Sequence, residues 1–154
     1  MSDEMSFEVS IPSDDDGFIL LQCAYCGEFF KIPASECNNE ENLFIHCPSC
    51  GLVSESYMTE DVIKLVQNIA TNYAMDMIFD SFKELERNSK KNSIVSFKAG
   101  RRPRHEDENP LRTGIEAMEK ADFKCCKKQA KIKPLLKFTG CYCPFCGVKQ
   151  YEVN

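Results

Sequence analysis

LQCAYCGEFFKI at residues 21–32 and ADFKCCKKQAKI at residues 121–132 share an outline a hundred positions apart. In each, an apolar residue leads toward cysteine, and a Lys-Ile pair begins five residues after Cys26 or Cys126. The repeat breaks at one place, because Phe123 stands where Cys23 stood. A second motif is also doubled, as CPSCG at 47–51 and CPFCG at 143–147. Reading these four short stretches decides what the chain can fold into.

Cys23, Cys26, Cys47 and Cys50 form C-x2-C, twenty residues, then C-x2-C. Each C-x2-C turn points two thiolates at one place, and the glycine after the second cysteine permits a left-handed backbone there. Two such turns complete a tetrahedron of soft sulfur donors, which selects zinc, or iron if iron is supplied. In the second half Cys126, Cys143 and Cys146 carry over as ligands. Two thiols stand near the missing fourth position. Cys125 keeps two ligands in each turn and is favoured, while Cys141 lies two residues before Cys143 on the same strand face and can substitute. Cys37, alone in a loop, is not expected to ligate, and His46 and His105 read as surface histidines.

CAYCGEFF together with HCPSCG resembles the zinc-ribbon superfamily and its rubredoxin-like relatives, in which two cysteine knuckles sit on β-hairpins. The resemblance covers about fifty residues at each end of the chain. It implies two small zinc-binding β units with the cysteines named above as ligands, and it leaves function open, since ribbons serve many.

Ten cysteines suit small units that need a staple for their limited cores. No apolar run approaches the roughly 20 residues of a membrane span, and MSDEMSFEVS lacks a basic lead into an apolar stretch. A cytoplasmic location is therefore expected, where thiols stay reduced and paired cysteines read as metal or redox sites. The net charge of −5 is divided: residues 1–61 hold 13 acids against Lys31 alone, giving −12, and residues 62–154 hold 18 bases against 11 acids, giving +7.

Along the chain, FEVSI (7–11), PSDDDG (12–17) and FILLQ (18–22) pattern as strand, turn and strand. EFFKI and NLFIH are further strand candidates. From Thr59 the period changes: Val62, Leu65, Val66, Ile69, Tyr73, Met77, Ile78, Phe82 and Leu85 predict a long helix ending between Arg87 and Asn92. SIVSF (93–97) is a strand candidate within a basic loop. TGIEAMEKAD (113–122) is expected as a short helix, and QAKIKPLLKF and VKQYEV as strands, the former limited by Pro134. The expected fold is α+β, with an N-terminal ribbon at 1–57, a connecting helix at 58–92, a basic linker at 93–112 and a degenerate C-terminal ribbon at 113–154.

Closed four-sulfur sites leave no open coordination position, and no phosphate loop, nucleophile elbow or HExxH occurs, so no enzyme and no small-molecule substrate are expected. One functional reading is DNA or RNA binding through Arg87, Lys90, Lys91, Lys98, Arg101, Arg102 and Arg104, a run without an acid, and through Lys124, Lys127 and Lys128 at the second knuckle, where Phe123 and Phe138 can stack on bases. A second is an adaptor whose long helix docks a protein partner or a second copy. A third is a rubredoxin-like iron electron carrier. Against the first stands a plain alternative, that the bases neutralise the acidic half inside the fold.

Overall fold

A computed structural model describes residues 6–91, 94, 96–115 and 117–154. It is mixed α and β, with two compact units: Ser10–Glu60 with Leu111–Asn154, and Asp61–Pro110 with the described residues up to Val9.

In the first unit β1 (Phe18–Gln22) pairs with β2 (Phe29–Pro33), which runs into a one-turn helix, α1 (Ala34–Cys37). After a long excursion β3 (Glu119–Phe123) pairs with β4 (Lys128–Ile132). The two hairpins are not separate ribbons. They join through β2 and β4 at Lys31 and Lys131 into one antiparallel sheet of order β1-β2-β4-β3. The repeat is visible in the register: Leu20 faces Lys31 as Lys120 faces Lys131.

The second knuckles interlock in the same way. His46 bridges Val53, and its counterpart Tyr142 faces Lys149 where β5 (Cys141–Tyr142) pairs with β6 (Lys149–Gln150). The His46 amide donates to the Pro144 carbonyl and the Tyr142 amide to the Pro48 carbonyl, both at 2.8 Å. A Cβ on Gly51 would stand 2.9 Å from the Tyr142 ring, and one on Gly147 would stand 2.6 Å from the His46 ring. The two halves thus form an internal pseudo-dimer with reciprocal contacts. Its core holds Leu21, Phe30 and Ile32 with Ala121, Phe123, Ala130 and Ile132, and the repeat trades volume between its copies: Phe30 has Ala130 as its counterpart, and Cys23 has Phe123.

The divided charge closes on itself. Lys128 pairs with Glu36 at 2.7 Å, Lys131 with Asp14 and Asp16, Lys120 with Asp16 and Lys133 with Glu28. At the centre the Asp14 carboxylate accepts from both Lys31 (3.0 Å) and Lys131 (2.8 Å), and its other oxygen accepts from the amides of Asp16 and Phe18.

Several local expectations fail for identifiable reasons. FEVSI forms no strand; Phe7 packs edge-on against the ring of Tyr73 instead, with centroids 5.6 Å apart. NLFIH contributes only the His46 bridge. TGIEAMEKAD contains no helix among its described residues, because Ala121 and Phe123 alternate inward and bind the segment to β4. KPLLKF is not a strand but α3 (Pro134–Thr139), since proline at the first helical position has its φ preset and no amide to satisfy. Of SIVSF, Ile94, Ser96 and Phe97 are not in a strand, and its other two residues lie outside the described ones.

The second unit is built on α2 (Glu60–Ser89), 30 residues long. A strap running back along it covers one face. Asn72, buried, clamps the Glu106 backbone at both its amide (2.7 Å) and its carbonyl (2.9 Å), and Asn68 holds the Asp107 carbonyl. His105 and Arg102 engage Asp76, and Phe97 packs on Phe82. No helix among the described residues is long and apolar enough to cross a membrane.

Candidate metal centres and charged surfaces

Three of the four cysteine turns are built alike. In each, the first cysteine's carbonyl accepts from the following glycine amide, at 2.9 Å for Gly27 and 2.8 Å for Gly51 and Gly147. All three glycines adopt φ 73°. That conformation turns the amides of Tyr25 and Cys26 toward the Cys23 sulfur, those of Ser49 and Cys50 toward Cys47, and those of Phe145 and Cys146 toward Cys143. The fourth turn has Lys127 in the glycine position, at φ 54°, which is left-handed as well. The backbone repeats its shape even where the cysteine spacing does not.

These turns bring together two quartets, Cys23, Cys26, Cys47 and Cys50, and Cys125, Cys126, Cys143 and Cys146, the sulfurs of each lying within 4.8 Å of one another. A tetrahedral ion with bonds of about 2.3 Å sets its sulfurs about 3.8 Å apart. The observed separations are 3.8 Å for Cys23–Cys50, 3.5 Å for Cys26–Cys47 and 3.4 Å for Cys125–Cys146, so both quartets fit such an ion. In the second, Cys125 takes the fourth place and Cys141 stays outside, buried in β5. The Cys125 sulfur also accepts from the Gln150 side-chain amide at 2.8 Å. Cys37 belongs to neither quartet.

The electrostatics suit a cation. Burial pushes the thiols of Cys47 and Cys143 far up, and burial together with the Cys146 thiol raises Cys126 to about 11. Cys23 and Cys146 go the other way: burial opposes their ionisation, but backbone amide donors, Cys26 and Tyr25 for the first and Val148 for the second, together with neighbouring thiols outweigh it. Four sulfurs at these distances cannot all be thiolates without a compensating positive charge. Each quartet is thus a cluster that could hold a metal ion. The centres differ in access: in the first Cys23 and Cys47 are buried, and in the second only Cys143 is.

The bases proposed for nucleic acid divide into two groups. Arg102 is held by Asp76 and Asp80 over the Phe79 ring, Lys90 by Glu86, and Lys128 by Glu36 and Asn42. Arg87, Lys91, Lys98, Arg101, Arg104, Lys124 and Lys127 are exposed, and no ion pair to them is present among the described residues. Phe123 is fully buried and cannot stack on a base, whereas Phe138 is 84% exposed. Sequence reasoning missed the Asp14–Lys31–Lys131 cluster; its signal was the hundred-residue offset, which pairs the two lysines.

Comparison with protein-family models, with curated proteins and with solved structures returned no match.

Proposed function

We propose that this chain is a non-catalytic, zinc-stabilised interaction protein that docks through the outward face of α2. One observation carries the reading. Beside the strap, Ile63, Val66, Met77, Ile78 and Leu85 remain between 36% and 54% exposed along a single helix, flanked by Tyr73 and Phe82, which touch Phe7 and Phe97 and are still 40% and 44% exposed. Contiguous apolar surface of that extent, bordered by charge, is characteristic of a contact surface. The two quartets supply stability: closed sulfur tetrahedra hold an ion structurally and leave it no position for substrate. Zinc is favoured over iron because soft tetrahedral thiolates suit it and it requires no redox partner. A colourless protein with stoichiometric zinc is expected, and a visible charge-transfer band would move the reading to a rubredoxin-like carrier.

The docking reading is tested by replacing Met77 and Ile78 with lysine and isolating wild type and variant from the native host. Association, with itself or with another protein, should be lost in the variant. Identical behaviour of the two would refute the reading.

Nucleic-acid binding is the second reading, and the observation favouring it is that Lys98, Arg101 and Arg104 project from the strap without acidic partners among the described residues. Neutralised phosphates release counterions, so Arg101→Ala with Arg104→Ala should lower the salt dependence of affinity by about two phosphate contacts. An unchanged salt slope counts against it. The lysines of the C-terminal half support it less, since Lys120, Lys128, Lys131 and Lys133 are committed to acids of the N-terminal half.

A further inference from the structure

The outward face of α2 has an internal order that identifies its occupant. At 3.6 residues per turn Ile63, Gln67, Ala70, Ala74, Ile78, Ser81 and Leu85 fall in one exposed stripe, with Val66, Met77 and Phe82 beside it. The stripe is close to palindromic about Ala74. Ile63 and Leu85 stand eleven residues to either side of it, Val66 and Phe82 eight, Ala70 and Ile78 four. Bulk at both ends and alanine at the middle let two such faces approach closely when they run in opposite directions.

Charge selects that direction. Glu60 and Asp61 open the helix, while Arg87, Lys90 and Lys91 lie at its close. An antiparallel neighbour sets an acidic end against a basic one, and the helix dipoles align favourably; a parallel neighbour sets like against like.

We infer that a second copy of this chain covers the face, packed antiparallel about a two-fold axis at Ala74, an inference that rests on the docking reading above. Ile63 then lies level with Leu85 of the partner subunit, and Val66 with the partner's Phe82. One patch serves both subunits, as a two-fold requires. The seven large side chains, 36% to 54% exposed, keep roughly 70 to 110 Å² each, taking a fully exposed aromatic as about 200 Å², so two copies cover at most roughly 1,300 Å². That falls at the lower end of specific interfaces, which run from about 1,200 to 2,000 Å².

Sedimentation of the metal-loaded full chain tests this across a concentration series. The mass should rise from 17.6 kDa toward twice that value, and Ile78→Lys should raise the dissociation constant at least about tenfold. Ile78 is 54% exposed, so helix signal and bound metal should stay unchanged in the variant. A photo-crosslinking residue in place of Ala74 should join the two copies near position 74 itself. A chain monomeric at every concentration, a dimer indifferent to Ile78→Lys, or crosslinks falling elsewhere would each overturn the proposal. If the chain is monomeric but a protein of another sequence holds the face, self-pairing falls and the docking reading stands. If nothing associates, both fall.

Discussion

Replacing Asp14 by asparagine removes the carboxylate that Lys31 and Lys131 share. Lys31 is 4% exposed at its side chain, Lys131 is 12%, and Asp14 is 13%, so water screens none of them well. Asparagine keeps the size and can still cap the Phe18 amide, so the loss isolates charge. Breaking a buried pair by removing one partner costs about 3 to 5 kcal/mol; Asp16 still reaches Lys131 at 2.7 Å, which argues for the low end, about 3 kcal/mol. In a domain of this size, each kcal/mol shifts the midpoint by about 4 to 8 °C, so the variant should melt roughly 12 to 24 °C lower. The assay is a thermal melt of the zinc-loaded chain, with Lys31→Met and the double variant completing a cycle. The double variant should lose less than the two single losses added together, because it leaves one buried charge fewer unpaired. The pH dependence has a definite sign. Burial opposes ionisation of Asp14, but Lys131, the Phe18 amide and Lys31 together hold its carboxyl well below the usual range. Its stabilisation is therefore complete above the unfolded value near about 4 and drains only as pH falls below that. The deficit of the variant should be flat between pH 5 and 8. A shift of less than about 1 kcal/mol, strict additivity, or a deficit that varies across that pH window would refute the reasoning.

Three further outcomes are expected. Gly27→Ala and Gly51→Ala both place a side chain at φ 73°, costing about 1 to 2 kcal/mol, but only Gly51 would also drive a Cβ to 2.9 Å from Tyr142, so its melting point should fall further; equal losses would deny the interlock. Cys125→Ser should reduce bound metal from two ions to one per chain while Cys141→Ser leaves two, and elemental analysis showing the reverse would reassign the fourth ligand. Chelation should abolish the tertiary signal of the cysteine unit, because apparent zinc binding of about 10 to 16 kcal/mol exceeds what a small core supplies, whereas part of the helical far-UV signal from α2 should survive; a chelated protein with unchanged tertiary signal would show the clusters to be dispensable.

What the sequence revealed followed the range of the interactions involved. The knuckles were legible because a C-x2-C-G turn is written in five consecutive residues, and α2 because its period runs for thirty. The union of the two hairpins was not, since the β2–β4 junction rests on residues a hundred positions apart, with no local periodicity to announce it. Pro134 misled for a related reason: proline is compatible with an edge strand and with a helix start, and only the surrounding fold chooses. The charge asymmetry left open whether the two halves face different partners or each other, and much of it is one half binding the other.

The lost cysteine follows from that same union. A strict repeat would place a thiol at position 123, but there the sheet turns the side chain into the shared core, where Phe123 is fully buried. On the equivalent strand Cys23 is buried too, and its half supplies bulk from Phe30, where the second half has Ala130. The core therefore needs one large ring from each hairpin and takes it from different strands. With phenylalanine at position 123, the fourth thiol comes from the turn beyond it, and the left-handed Lys127 keeps that turn tight enough for adjacent Cys125 and Cys126 to reach one point. The second quartet is the same tetrahedron closed from two residues further along, with core volume deciding which residue that is.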